Sequence, residues 1–173
     1  MNPLPIIKIG DHLLKQRASP ITDFGSNELS QLIDQLFSHM RHYNGVGIAA
    51  PQIGISKHIF VYGFEKNSRY PDQQPVPENA LLNTEILFYS EETIEIYEGC
   101  LSVPNIRGLV PRFSTIKYRA NTPTGEVIEK TASGFEARII QHEVDHLEGK
   151  VFPMRMKDIS TLLYSPPPPP AHA

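Results

Sequence analysis

The segment Gln141-His142-Glu143-Val144-Asp145-His146-Leu147-Glu148-Gly149 constrains this chain more than any other. On an α-helix, residues four apart stack on one face, so His142 and His146 present two imidazoles in one direction. The surrounding pattern is helical: Phe135, Ile139, Ile140, Val144 and Leu147 recur at close to helical spacing, and Gly149 suits the left-handed residue after the last turn. Ser133 and Glu136 read as a capping box, which opens the helix at about Gly134 and closes it near Glu148. Two imidazoles on a buried helix face lack hydrogen-bond partners, and a metal ion answers that cost. Glu143, next to the first histidine, then lies within reach of a water at such an ion. That is the mechanical content of an H-E-x-x-H pattern: two ligands and a general base.

A site of this kind needs a third protein ligand. The only cysteine, Cys100, lies in Glu98-Gly99-Cys100-Leu101-Ser102-Val103-Pro104, which reads as a strand running into a turn. A lone cysteine ordinarily packs as a small buried hydrophobe. Combined with the two histidines, Cys100 makes a three-ligand set with one position open, the pattern of a catalytic metal site.

Three segments together resemble the motifs of peptide deformylases: Gly45-Val46-Gly47-Ile48-Ala49-Ala50-Pro51-Gln52, Glu98-Gly99-Cys100-Leu101-Ser102 and Gln141-His142-Glu143-Val144-Asp145-His146. They occur in that family's order with compatible spacing, and the resemblance runs from about Ile6 to about Met156. Ile48 stands where the family more often has Leu, a near-isosteric change. The resemblance implies an α+β fold, with mainly antiparallel or mixed sheets around a central metal-binding helix. It implies a hydrolase that removes the formyl group from the initiator N-formylmethionine of new polypeptides and releases formate. The ligands would be Cys100, His142 and His146 around one divalent ion, Fe(II) in cells, with Zn, Ni or Co able to replace it during purification. Glu143 would move the proton, and the Gln52 side-chain amide and Leu101 backbone N–H would stabilise charge on the former carbonyl oxygen.

For the substrate, the resemblance implies an extended peptide hydrogen-bonded like an added strand near Val46, Gly47 and Gly99. Its methionine would enter a pocket of Val46, Ile96, Phe135, Arg138 and Ile139. Arg138 is polar where an aliphatic residue is expected, and its stem would line the rim. Arg107 would contact the downstream backbone or, equally, serve a surface ion pair. Asp145 and Glu148 are candidates to orient a ligand imidazole, with solvated charges as the alternative. Two rival readings stand beside this one. An H-E-x-x-H metallopeptidase more commonly takes a His or carboxylate as third ligand, and a metal-storage or peptide-binding module would need neither Glu143 nor Gln52.

The remaining chain supplies the scaffold. A length of 173 residues fits one domain with a sizeable core. We expect residues 1–156 to form a single catalytic domain and residues 157–173 an extended or disordered tail. A formal net charge of −3 argues against a chain that coats nucleic acid or an anionic membrane by charge alone, and no apolar run is long enough to span a bilayer. One cysteine forms no internal disulfide, which is compatible with a reducing compartment. The expectation is a soluble, cytoplasmic monomer whose partners are formylated nascent peptides, with transient ribosome contact. Leu29, Leu32, Ile33, Leu36, Phe37 and Met40 form a stripe with helical period, a core-facing helix. Strands are expected at 57–64, 81–89, 93–98, 115–121 and 126–131, with a surface loop over 65–79. Five consecutive prolines at 166–170 favour a polyproline II stub.

Overall fold

A computed structural model of the chain describes residues 5–165. Its first long element, α1 (Asn27–His42), follows from the apolar stripe: Ser26 accepts a hydrogen bond from the Leu29 N–H at 3.2 Å, and Leu29, Leu36 and Met40 are buried. Asn44, at φ 52°, turns the chain out of the helix. Strands β1 (Gly47–Ala49), β2 (Ile59–Phe64) and β3 (Val76–Tyr89) follow, then β4 (Thr93–Cys100), β5 (Val103–Phe113), β6 (Thr115–Asn121) and β7 (Val127–Ser133). Helix α2 (Gly134–Leu147) carries the two histidines, and a short β8 (Leu163–Tyr164) closes the described chain. The fold is α+β, as expected, and every named strand pair is antiparallel.

Two sheets result, one ordered β1-β2-β3-β6-β7 and one ordered β4-β5-β8. Strand β2 shows why the first is covered on both faces. Its residues are all buried, and alternation sends Ile59 and Val61 to the cluster containing Leu29, Leu36 and Met40 of α1. Phe60, Tyr62 and Phe64 go to the opposite cluster, with Ala137, Ile139, Ile140 and Leu147 of α2. Helix α2 is tied to the second sheet through polar side chains. Gln141 accepts from the Phe113 N–H at 3.1 Å and donates to the Phe113 carbonyl at 2.9 Å, and Arg138 donates to the Val110 carbonyl at 3.0 Å. The metal-motif helix is therefore held between the two sheets.

Three expectations change. The capping box does not form: the Ser133 hydroxyl lies 3.1 Å from that of Thr115, and Glu136 accepts from the Tyr62 hydroxyl at 3.0 Å. Gly134, at φ 60°, turns the chain into the helix instead. Strand β5 escaped the sequence pattern because Pro104, Gly108 and Pro111 interrupt it. Pairing on one side with β4, and with β8 at two positions only, leaves those prolines without a missing ladder bond. Residues 157–165 are not a bare tail. They form a 3₁₀ turn (Ile159–Thr161) and β8, with Leu162 packed against the cluster of Cys100, Val103, Val110 and Phe152. The proline run at 166–170 lies outside the described residues. Among the described residues no helix is long and apolar enough to cross a membrane.

Gly63 sits at the register shift between β2 and β3, at φ 129°, where an added Cβ would fall 2.5 Å from Glu78 Cα. Gly63→Ala is expected to cost about 2 kcal/mol or more. The check is a lowered urea midpoint with an unchanged slope.

Candidate active site

Strand alternation and the helix repeat bring the sequence-predicted groups to one place. Cys100 ends β4, and the turn after it folds straight back into β5, with Cys100 paired to Val103. The lead-in segment braces this turn: Ile9 N–H donates to the Ser102 carbonyl and Ile7 N–H to the Gln52 carbonyl. Opposite it, α2 carries His142 and His146, with ring centroids 5.0 Å apart. Cys100 Sγ lies 3.2 Å from His146 Nε2, and the ligand atoms of Cys100, His142 and His146 all fall within 4.8 Å of one another.

This donor set fits a metal ion. Burial opposes the Cys100 thiolate, but the His146 and His142 imidazoles outweigh it and hold the thiol well below its ordinary range. His142 Nδ1 is taken by Glu98 Oε2 at 2.9 Å, which leaves the other ring nitrogen for an ion. The ligand-bearing space is a cleft of about 40 Å³ that also touches Gln52, Leu101 and Glu143. A thiolate and two imidazoles with one side open to such a cleft match a catalytic ion in donor type and number.

Glu143 is 3% exposed and its Oε2 has no hydrogen-bond partner among the described residues. Burial pushes its carboxyl up to about 7, against the downward pull of His142 and His146. Gly47 makes room for it: a Cβ there would sit 2.5 Å from Glu143 Oε1. Gln52 is oriented by its neighbours. The Ala49 N–H donates to Oε1 at 2.8 Å, so the NH₂ end must face the other way, 3.2 Å from Ser102 Oγ and 3.6 Å from Cys100 Sγ. Gln52 is therefore no surface amide.

The predicted substrate residues divide. Val46, Gly47, Gly99, Phe135, Arg138 and Ile139 line the cleft. Ile96 does not; it borders a neighbouring cavity beyond Phe135 and Arg138. Arg107 donates to the Tyr97 carbonyl at 2.8 Å and lies over the Tyr70 ring, outside the cleft lining. Asp145 orients no imidazole. It accepts from Arg112 at 2.6 Å and from Arg155, while Glu148 pairs with the exposed Arg17.

The residue that does orient His142 is Glu98, whose role the sequence reading missed. Arg112 binds both of its oxygens, at 2.9 and 3.0 Å, and Arg138 Nη1 donates to Oε1 at 2.6 Å. Burial works against the Glu98 charge, yet Arg112 and His142 hold its carboxyl far below the usual range. A signal for it was present: residues two apart on a strand share a face, so Glu98 follows Cys100 inward. Arg69 and Tyr70 also line the cleft, from a loop whose sequence carries no such signal.

Residues 3–161 match the polypeptide deformylase family. The chain belongs to the peptide deformylase family. It is 48% identical over 162 residues to peptide deformylase 2 of Pseudomonas putida, covering 92% of this chain and 91% of that one. It is 46% identical to peptide deformylase 1 of Bordetella pertussis over 160 residues, with 92% and 91% covered. A crystal structure of the class I type b peptide deformylase from Acinetobacter baumannii with Met-Ala-Ser bound superposes with a TM-score of 0.86 at 44% identity, covering 88% of this chain and 98% of that one. This deformylase is thus a metal-dependent hydrolase that removes the N-formyl group from nascent peptides. The metallopeptidase and storage readings fall away.

Glu98→Gln keeps the shape but removes the charge that holds His142 and the two guanidinium groups. It is expected to weaken metal binding by about 10–100-fold, read by competition with a chromogenic chelator.

Proposed function

We propose that Cys100, His142 and His146 hold one divalent ion, and that Glu143, Gln52 and Leu101 perform deformylation beside it. The observation that carries this reading is that Cys100, His142, Glu143, Gln52 and Leu101 line one small cleft, with the ligand atom of His146 within 4.8 Å of those of Cys100 and His142. When bound, the ion acidifies a water and polarises the formyl carbonyl. Glu143 accepts the proton as the water oxygen bonds to the formyl carbon, then delivers it to the amine as the C–N bond breaks and formate leaves. A carboxyl raised by burial toward neutrality is matched to both halves of that task. The Gln52 NH₂, fixed by the Ala49 N–H, and the Leu101 backbone N–H donate to the oxygen on which negative charge develops.

The Met-Ala-Ser bound in the Acinetobacter relative supports an extended peptide in this cleft, its backbone beside Val46, Gly47 and Gly99 and its first side chain against Phe135, Arg138 and Ile139. Arg107 extends the contact downstream. We infer Fe(II) as the cellular ion, with Zn, Ni or Co taking its place during purification, since thiolate and imidazole donors accept all four. Residues 1–156 act as one catalytic domain, with 157–165 sealing the edge of its smaller sheet. A single chain carries every group named, so a monomer suffices. A substrate made by the ribosome argues for work in the cytoplasm, with brief contact where nascent chains emerge.

The test is formate release from formyl-Met-Ala-Ser by anaerobically purified protein whose metal has been measured. Glu143→Gln is expected to remain folded and metallated while losing two to four powers of ten in rate, about the contribution of a general base. Gln52→Ala is expected to lose about 10²-fold or more; a less than severalfold loss removes it from the mechanism. Gly47→Ala, by displacing the Glu143 carboxylate, is expected to lower kcat about 10²-fold while barely moving the urea midpoint. Release of free amino acids with the formyl group intact would contradict the reading.

A further inference from the structure

Phe135 and Arg138 lie one turn apart on α2 and border two spaces at once. One is the cleft of about 40 Å³ that touches Cys100, His142 and Glu143. The other is a cavity of about 140 Å³ lined also by Ile94, Ile96 and Phe113. Arg138 is 5% exposed, and its head is fixed at several points: Nη1 donates to Glu98 Oε1 at 2.6 Å and to the Val110 carbonyl at 3.0 Å, and Nη2 donates to the Ile94 carbonyl. The Phe135 ring is packed against those of Tyr70 and Phe64, at centroid distances of 4.8 and 5.8 Å.

We propose that Arg138, with Phe135, is the wall that ends the pocket for the first side chain of the substrate and so sets the length of side chain this deformylase accepts. The proposal rests on the reading of the cleft given above. An apolar pocket with yielding walls discriminates poorly between chains that differ by a methylene. An exposed arginine would yield, because its long stem swings aside at little cost. Arg138 does not, because moving its head would separate a buried ion pair and strand Glu98 with one fewer partner. The wall is therefore stiff, and its stiffness comes from the carboxylate that also orients His142. A short unbranched side chain such as methionine fits in front of it, and a longer one meets the guanidinium. Behind the wall, Ile94, Ile96 and Phe113 offer apolar surface that a longer chain reaches only when the wall is removed.

The test compares kcat/KM for formylated, amidated tripeptides whose first residue is norleucine, 2-aminooctanoate or 2-aminodecanoate, each followed by Ala-Ser. The wild-type protein is expected to lose at least tenfold from the shortest to the longest. Arg138→Ala and Phe135→Ala each open the wall from a different residue, and Phe135→Ala leaves the Glu98 ion pair in place. Each is expected to raise the long-to-short ratio tenfold or more, since every methylene that gains a buried place is worth about fourfold. Arg138→Met keeps most of the length but loses the ion pair with Glu98 that stiffens the wall, and its ratio is expected to rise severalfold, by less than in Arg138→Ala. An unchanged ratio in both alanine variants, or a wild-type ratio in Arg138→Met, overturns the proposal. No formate from formyl-Met-Ala-Ser with the wild type would overturn the underlying reading of the cleft instead.

Discussion

The carboxylate of Glu98 is shared by three side chains from two elements: Arg112 of β5, and Arg138 and His142 of α2. Removing a carboxylate from water costs several kcal/mol unless partners restore what is lost, and here every oxygen is matched by charged or ring N–H donors. The second face of Arg112 is closed by Asp145, which in turn accepts from the half-exposed Arg155. The result is a chain of alternating charge from the surface to a metal-ligand imidazole. It cross-links β4, β5 and α2, the three elements whose relative placement decides whether Cys100 meets the histidines at all.

Apolar packing alone would not achieve that placement. The clusters on either face of β2 set where α2 lies to within the tolerance of side-chain repacking, but they do not fix the rotation of an imidazole. Directional hydrogen bonds do so. The same division holds across the cleft, where Gln52 is buried by its neighbours but aimed by one backbone N–H, that of Ala49. Gly47 completes the arrangement by omission, since any side chain there would occupy the place of the Glu143 carboxylate. Burial then adjusts the chemistry, raising Glu143 toward neutrality, while paired charge keeps Glu98 ionised a short distance away. Two glutamates in one site thus take opposite roles because one is surrounded by guanidinium groups and the other is not.

The elements with local periodicity were legible in the sequence. The stripe from Leu29 to Met40 and the repeat from Phe135 to Leu147 gave both long helices, and the paired histidines and lone cysteine gave the donor set. Features that depend on distant partners were not. The strand Val103–Phe113 hid behind its prolines because only the sheet edge reveals that they cost nothing. Ser133 and Glu136 formed the right local pattern, yet each found a better partner elsewhere, Thr115 and Tyr62. Arg138 read as a rim residue because its partner, Glu98, is 40 positions away. Ile96 read as a pocket residue, and the buried Arg138 and partly buried Phe135 separate it from the cleft.

The central claim is that a thiolate and two imidazoles from separate elements share one ion. X-ray absorption at the edge of the metal bound to anaerobically purified protein tests it most directly. The account predicts one sulfur at about 2.3 Å with nitrogen or oxygen neighbours at about 2.0–2.2 Å. A metal shell without sulfur would contradict it.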